Sequence, residues 1–439
     1  METRQGYQKT KLGWIPENWG EDNLGNLSTY TKGYAFKSKD YCENGIRVIR
    51  ISDTNANSIK DSNPIYISEG KALTFEKWKL YTNDLVFTTV GSRPPLYDSM
   101  VGKVIKVEEK YSDSLLNQNA VIIRGIEKQI NQIFLFNQFK TKRYLRYIET
   151  IVRGNANQVS ITLKDLFKFR IPLPPLPEQK KIAQILSTWD KAIEKKTQLI
   201  EQKKLLKKGL MQQLLTGKTR FDGFVQNHKF QKSKLDDFSL DWEMVKLGDL
   251  YDRLSTGMTP SRKYLEYFQG DILWVTSGEL NYNVVTDTVE KITRVAQEKT
   301  NLKIYPKGTF FIAITGLEAS GTRGRCAILG KEATTNQSCM AFPVNEAIDT
   351  MFLFHFYCHY GAKIAFRFAQ GTKQQSLNSS IVKSIKIPLP TIEEQKKIAS
   401  VLTKANNEII KLEEQLIQLQ QQKKGLMQQL LTGATRVSV

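Results

Sequence analysis

The chain has 439 residues, 40% of them hydrophobic and with six Trp and 21 Phe. That composition excludes a disordered polypeptide, and the length exceeds what one hydrophobic core usually supports. A formal net charge of +20 and a pI of about 9.5 call for an anionic partner, nucleic acid before any other. No apolar run nears the roughly 20 residues of a bilayer span, and four cysteines without a C-x-x-C suit a reducing compartment. The sequence therefore reads as soluble and cytoplasmic, with no membrane association.

In chain order, short β-branched or aromatic runs at 47–51 and 85–90, bounded by Gly, Asn, Asp and Pro, predict curved β-sheet. An aromatic-basic stretch at 134–153 leads to a glycine-polar loop at 154–158. The run IPLPPLPEQKKIAQIL then begins at Ile171, and because prolines belong before a helix, a helix is expected from about Glu178 to Lys208. Its seam carries Ile182, Leu186, Trp189, Ile193, Ile200, Leu210 and Leu214, with Lys196, Lys203 and Lys207 intruding. The polar segments 216–227 and 230–240 read as a linker.

The second half repeats the first. Trp242 with Leu247-Gly248 parallels Trp19 with Leu24-Gly25, and Asn336-Gln337 parallels Asn117-Gln118. Strand-like runs recur at 310–315 and 339–344. The stretch FLFHFYCHYGAKIAFRF is apolar enough for a core helix, so His355, Cys358 and His359 read as helix residues rather than metal ligands. A second glycine-polar loop follows at 371–375. From Ile387 the run IPLPTIEEQKKIASVL, then KKGLMQQLLTGATRV, repeats the earlier segment, Ile387 lying 216 positions after Ile171. Roughly half of the aligned positions are identical, beyond what shared helical composition gives. Apolar residues fall at Ile398, Leu402, Ala405, Ile409, Leu412, Leu416, Leu419, Leu426 and Leu430, interrupted only at Lys423. Two such helices in one chain most simply pair with each other.

Signatures of catalysis are lacking. The loop from Gly316 to Arg323 has no Gly-Lys-Ser/Thr ending for phosphates, and Arg93-Pro94-Pro95-Leu96 lacks the leading Asn or Asp and trailing aromatic of an amino-methyltransferase loop. Three histidines offer no triad. No catalytic residue, cofactor or metal is expected. What remains is basic residues interleaved with aromatics and amides, which contact phosphates and base edges. Features kept in both halves position; loops that differ can specify. On that rule Lys32, Lys37, Lys39, Ser92, Arg93, Thr256, Arg262, Lys263, Arg323 and Arg325 are candidates for base or phosphate contact. Asn157, Gln158, Gln374 and Gln375, in loops present in both halves, would grip the DNA backbone or hold the domain against its helix. Whatever binds the repeated helix should bind twice, and the apolar and amide surface at Leu210, Met211 and Leu214, with its copy at Leu426, Met427 and Leu430, is the candidate.

The segments IPLPPLPEQKKIA…KKGLMQQLLTGKTRF and IPLPTIEEQKKIA…KKGLMQQLLTGATRV resemble the conserved regions of the DNA specificity subunit of Type I restriction-modification systems, and the order of variable and conserved regions extends the resemblance over the whole chain. The resemblance implies an α+β fold: two similar mixed target-recognition domains, at 1–170 and 236–386, related by pseudo-two-fold duplication. Residues 171–235 would be the first conserved helix and linker, and 387–439 the second helix, the two forming an antiparallel coiled coil. It further implies a non-catalytic subunit that reads a bipartite, non-palindromic sequence in double-stranded DNA, docks two methyltransferase subunits and can recruit two ATP-dependent restriction subunits. Lys196, Lys203 and Lys207 depart from a clean seam and could face DNA or a partner's acidic helix instead. A standalone DNA-modifying enzyme would need a cofactor motif. A coiled-coil scaffold without DNA binding would explain the helices, but neither the charge nor the two diverged domains.

Overall fold

A computed structural model describes residues 4–438 except 95, 97, 155–157, 320 and 372–374. The chain divides into two compact units: Met1–Thr197 with Gln415–Val439, and Gln198–Glu414. Each contains half of each long helix.

In unit 1 a four-stranded sheet is built from β1 (Ser28–Lys32), β2 (Leu85–Thr88), β3 (Val104–Lys106) and β4 (Ala120–Gly125), in the order β3-β2-β4-β1. All its pairings are antiparallel, with Val86 opposite Ile122 and Ile122 opposite Thr31. β2 is buried along its whole length, as a central strand covered on both faces must be. One face packs on α1 (Gln132–Gln138) and α2 (Lys142–Ile151), capped by the side chains of Asn131 and Thr141. The other supports a smaller core around Ile49, Leu80 and Ile105.

Unit 2 repeats this plan. Its strands are β5 (Ser255–Thr256), β6 (Asn283–Val285), β7 (Phe310–Ala313), β8 (Cys326–Leu329) and β9 (Cys339–Phe342), in the order β6-β8-β7-β9-β5. The four strands β8-β7-β9-β5 match β3-β2-β4-β1, and β6 adds a parallel edge against β8. One unbroken helix, α4 (Thr350–Phe368), stands where unit 1 has two; Asp349 caps it. His355 is buried on α4 with Nε2 2.9 Å from Thr403 Oγ1, the core-helix position expected of it.

In chain order α3 (Leu176–Leu214) follows the first of these sheet regions and α5 (Ile392–Leu430) the second, each of 39 residues. α3 is longer than expected because LMQQLL continues the helix until Gly217, whose φ of +73° ends it; Gly433 does the same for α5 at +74°. Within unit 1 the helix halves run antiparallel: Lys196 Nζ donates to Gln415 Oε1 at 2.9 Å, and Lys423 pairs with Asp190 nearer the start of α3. Within unit 2 the same direction follows from Lys203–Glu408 at 2.6 Å and Lys207–Asn406 at 2.6 Å. The intruding lysines thus lie in the helix seam, paired with acceptors on the other helix. They do not turn out toward DNA or a partner.

The stretch expected to be a linker is folded into unit 2. Phe230–Lys232 pairs antiparallel with Asp237–Ser239, and Leu235 and Phe238 are fully buried. Two large apolar anchors suffice here, too few to alter a polar composition. Unit 1 has its counterpart in the hairpin of Tyr7–Thr10 with Gly13–Pro16. In both, a glutamine on the first strand donates to the carbonyl of the following tryptophan: Gln8 to Trp19 and Gln231 to Trp242.

Candidate nucleic-acid interface

The residues repeated most faithfully form a clasp in each unit. In unit 2 the buried Glu394 accepts from Trp242 Nε1 at 3.0 Å and from Arg220 Nε and Nη2 at 2.8 Å each. In unit 1, Glu178 accepts from Trp19 Nε1 at 3.0 Å and from Arg436 at 2.7 and 2.8 Å. The neighbouring glutamines serve the backbone. Gln179 takes the N–H of Asn131 and donates to the carbonyls of Gln129 and Pro174; Gln395 does the same with Asp349, Ala347 and Pro390. The end of one helix is thereby locked to the start of the other within each unit, which is why the segments IPLP…EQKKIA and LLTG…TR recur together.

With the scaffold fixed, the candidate loops gather at the exit of the central strand. In unit 1, Thr89, just after β2, receives the loop turns at Asn119 and Ile161. Val90–Gly91 pairs with Val159–Ser160. Arg93 donates to the carbonyl of Gly154, so Ser92, Arg93 and Gln158 lie in one loop cluster. Lys32 ends β1 beside Gly33, where an added Cβ would fall 1.9 Å from Asn117 O. This close approach joins the loop bearing Lys37 and Lys39 to the Asn117-Gln118 turn. All three lysines are exposed.

Unit 2 gathers the same parts around β7. Thr256 precedes Gly257, whose added Cβ would fall 1.6 Å from Thr335 O, and Thr259 Oγ1 donates to Gln337 Oε1 at 2.7 Å. The loops at 316–325 and 370–376 meet through Leu317 N to Gln375 O at 3.1 Å and Gln375 N to Glu318 Oε2 at 2.9 Å. Asn157 and Gln374 lie outside the described residues.

Several of the candidate arginines are engaged within the chain. Arg262 makes a two-pronged pair with Glu290 at 2.5 and 2.7 Å and stacks 4.2 Å over Phe268; the hydrogen bond to Glu290 raises its pKa. Arg323 donates to the carbonyls of Leu317 at 2.8 Å and Glu318 at 2.9 Å, bracing its own loop. Arg325 is half-buried and reaches Ser277 O at 3.4 Å. Lys263 is exposed and makes no ion pair or hydrogen bond among the described residues. Two apolar side chains that sequence reasoning passed over stand out beside these loops: Phe366, 74% exposed near Arg323, and Leu96, 64% exposed beside Arg93. Helical periodicity in FRF does not reveal which Phe faces outward.

Three of the six residues expected to dock a partner, Met211, Leu214 and Leu430, are buried in the cores instead. Met211 and Leu214 are buried in the core of unit 2 with Leu210 packed against it, and Leu430 is buried in unit 1 with Leu426 and Met427 packed against that core. Met211, Leu214 and Leu430 are thereby out of reach of a partner, while Leu210, Leu426 and Met427 stay half-buried. The repeated residues left exposed are polar: Lys208, Gln212 and Gln213 in one copy, Lys424, Gln428 and Gln429 in the other. Leu214→Asp is therefore expected to destabilise the isolated chain by about 3 kcal/mol, with no partner present, because a carboxylate would be buried in an apolar core without donors to satisfy it. A urea melt unchanged from wild type would return Leu214 to the surface.

Among the described residues no His, Cys, Asp or Glu cluster suits a metal, and no helix is long and apolar enough to cross a membrane. The sequence pattern of the Type I restriction modification DNA specificity domain matches twice, over residues 16–202 and 239–421. The chain belongs to this family. A Methanocaldococcus jannaschii protein assigned as the specificity subunit of the type I restriction enzyme MjaX is 29% identical over 99% of this chain and 97% of that protein. The MjaVIII specificity subunit of the same organism is 27% identical over 96% of this chain and 94% of its own. The S subunit of a Type-I restriction-modification system from M. genitalium shares the fold, with a TM-score of 0.59 at 15% identity, over 94% of this chain and 96% of that one. The chain is thus a specificity subunit, a DNA-recognition component that is not itself catalytic.

Proposed function

We propose that this specificity subunit reads a bipartite, non-palindromic DNA target in the cytoplasm. In this reading, residues 1–170 recognise one half-site and 236–386 the other, while 171–235 and 387–439 carry the helices on which two methyltransferase subunits, and through them up to two restriction subunits, assemble. The observation that supports it is a repeated scaffold with divergent loop ends: the same four-strand order and Trp–Glu–Arg clasp in both units, but Lys32, Lys37, Lys39 and Arg93 in one set of loops against Thr256, Arg262, Lys263 and Arg323 in the other. Exposed lysines suit phosphates, and braced arginines hold loop shape against base edges. Phe366 and Leu96 offer apolar contact there. Sequencing that maps methylated bases in DNA modified by the assembled complex tests the reading. A motif of two unlike blocks at fixed spacing is expected; a palindrome or a single block would overturn it.

A further inference from the structure

In unit 1 the turn between α1 and α2 faces the last turns of α5 across a pocket of about 370 Å³. Met427 and Leu431 contribute its apolar lining, and its remaining wall is rich in donors. Lys140, Lys142, Arg143, Arg146 and Lys424 line it, and no acidic side chain does among the described residues. Gln138 is 1% exposed, and while its Oε1 accepts from Arg143 at 3.1 Å, its Nε2 is buried without a partner. Such an orphan donor is costly unless something supplies an acceptor. Lys140 spends its protons on the carbonyls of Val104 and Ala56 and on Asn57, and burial pushes its pKa down to about 8. Lys142, Arg146 and Lys424 are exposed and make no hydrogen bond or ion pair among the described residues.

A second observation lies on α5 next to the pocket. Gly425 sits inside the helix, exposed, and a Cβ added there would meet nothing within 4 Å. Glycine weakens a helix interior relative to alanine, and nothing within the chain requires it here. Its repeat, Gly209 in unit 2, is open in the same way. A bare helix surface at this point admits the close approach of another main chain.

We propose that this pocket of unit 1 docks an acidic-aliphatic segment of a partner protein, its carboxylate meeting Gln138 Nε2 and the free cations Lys142, Arg146 and Lys424, its apolar side chain covering the half-buried Met427. A phosphodiester would satisfy the cations and leave the apolar lining bare, so a protein segment fits better than DNA. The helix wall of the pocket recurs in unit 2 as Lys208, Gly209 and Gln212, but Gln138 has no counterpart there, since α4 runs on unbroken where α1 ends. Taking the partner to be the methyltransferase subunit rests on the assembly reading above.

The test uses the full chain co-purified with the methyltransferase subunit of its own system, with affinity read by titration over a salt series. The variant Lys142→Glu/Arg146→Glu/Lys424→Glu changes only exposed groups and should assemble at least tenfold more weakly while melting as wild type does. Gly425→Ala should raise the melting temperature of the free chain yet weaken assembly. If wild type assembles and both variants match it, the pocket is not a docking site. If the triple variant assembles normally but loses DNA affinity equally on all sequences, the pocket holds phosphate and the proposal is overturned. A wild-type chain that binds no methyltransferase subunit would instead sink the assembly reading, and this proposal with it.

Discussion

Glu394→Ala is expected to destabilise unit 2 by about 3–5 kcal/mol, a large part of the 5–15 kcal/mol that typically holds a domain folded. Glu394 is fully buried, and the Arg220 side chain it neutralises is only 6% exposed. Removing the carboxylate leaves Arg220 with Asp241 alone and strips the Trp242 N–H of its acceptor. Arg220 keeps Asp241 as its counter-ion, so the cost comes from the three donors, Arg220 Nε and Nη2 and Trp242 Nε1, left out of water without an acceptor. The matching change in unit 1 should cost less. Arg436 is 41% exposed in its side chain, so water takes over much of its solvation when Glu178 is removed. Hydrogen exchange resolved by segment separates the two effects: Glu394→Ala should lower protection around β7 and α4, and Glu178→Ala should lower it more modestly around β2 and α2. Equal losses in both units, or a cost under about 1 kcal/mol for Glu394→Ala, would mean that the clasp contributes little.

The clasp also marks where sequence reading ran out. The repeat, the strand-rich halves and the two seams follow from periodicity, which is local. That Glu178 and Gln179 recur was visible; what they hold was not, since Arg436 lies 258 residues from Glu178 along the chain and the Gln179 partners are backbone atoms with no signature. The same limit misplaced Leu214 and Leu430. Their apolar character is plain, but whether such a residue faces a partner or a core depends on a hairpin and a tryptophan brought from elsewhere. The ends of the candidate loops were legible, because Gly91, Gly154, Gly316 and Gly371 punctuate them. Which arginines are free was not legible. Arg262 is bound by Glu290, 28 positions away, and Arg323 by carbonyls of its own turn.

Exchanging residues 23–157 for the corresponding region of another specificity subunit should replace one half-site completely and leave the other intact. The exchanged segment contains β1 to β4 and the loops at 32–39, 92–99 and 117–119, all candidate contacts of unit 1. It excludes Trp19, Glu178, Gln179 and Arg436, the side chains of the clasp. What the segment gives the clasp is main chain only, the N–H of Asn131 and the carbonyl of Gln129, which any donor sequence of the same fold supplies. The graft should therefore fold without compensating changes. Each base pair mismatched to the new loops is expected to cost about 1–3 kcal/mol, so over a half-site of several pairs the old sequence should fall to non-specific affinity. Mapping methylated bases in DNA modified by the grafted complex reads the result directly. A change in both blocks would show that the loops of one unit depend on the other, and an unchanged motif would move base recognition outside residues 23–157 altogether.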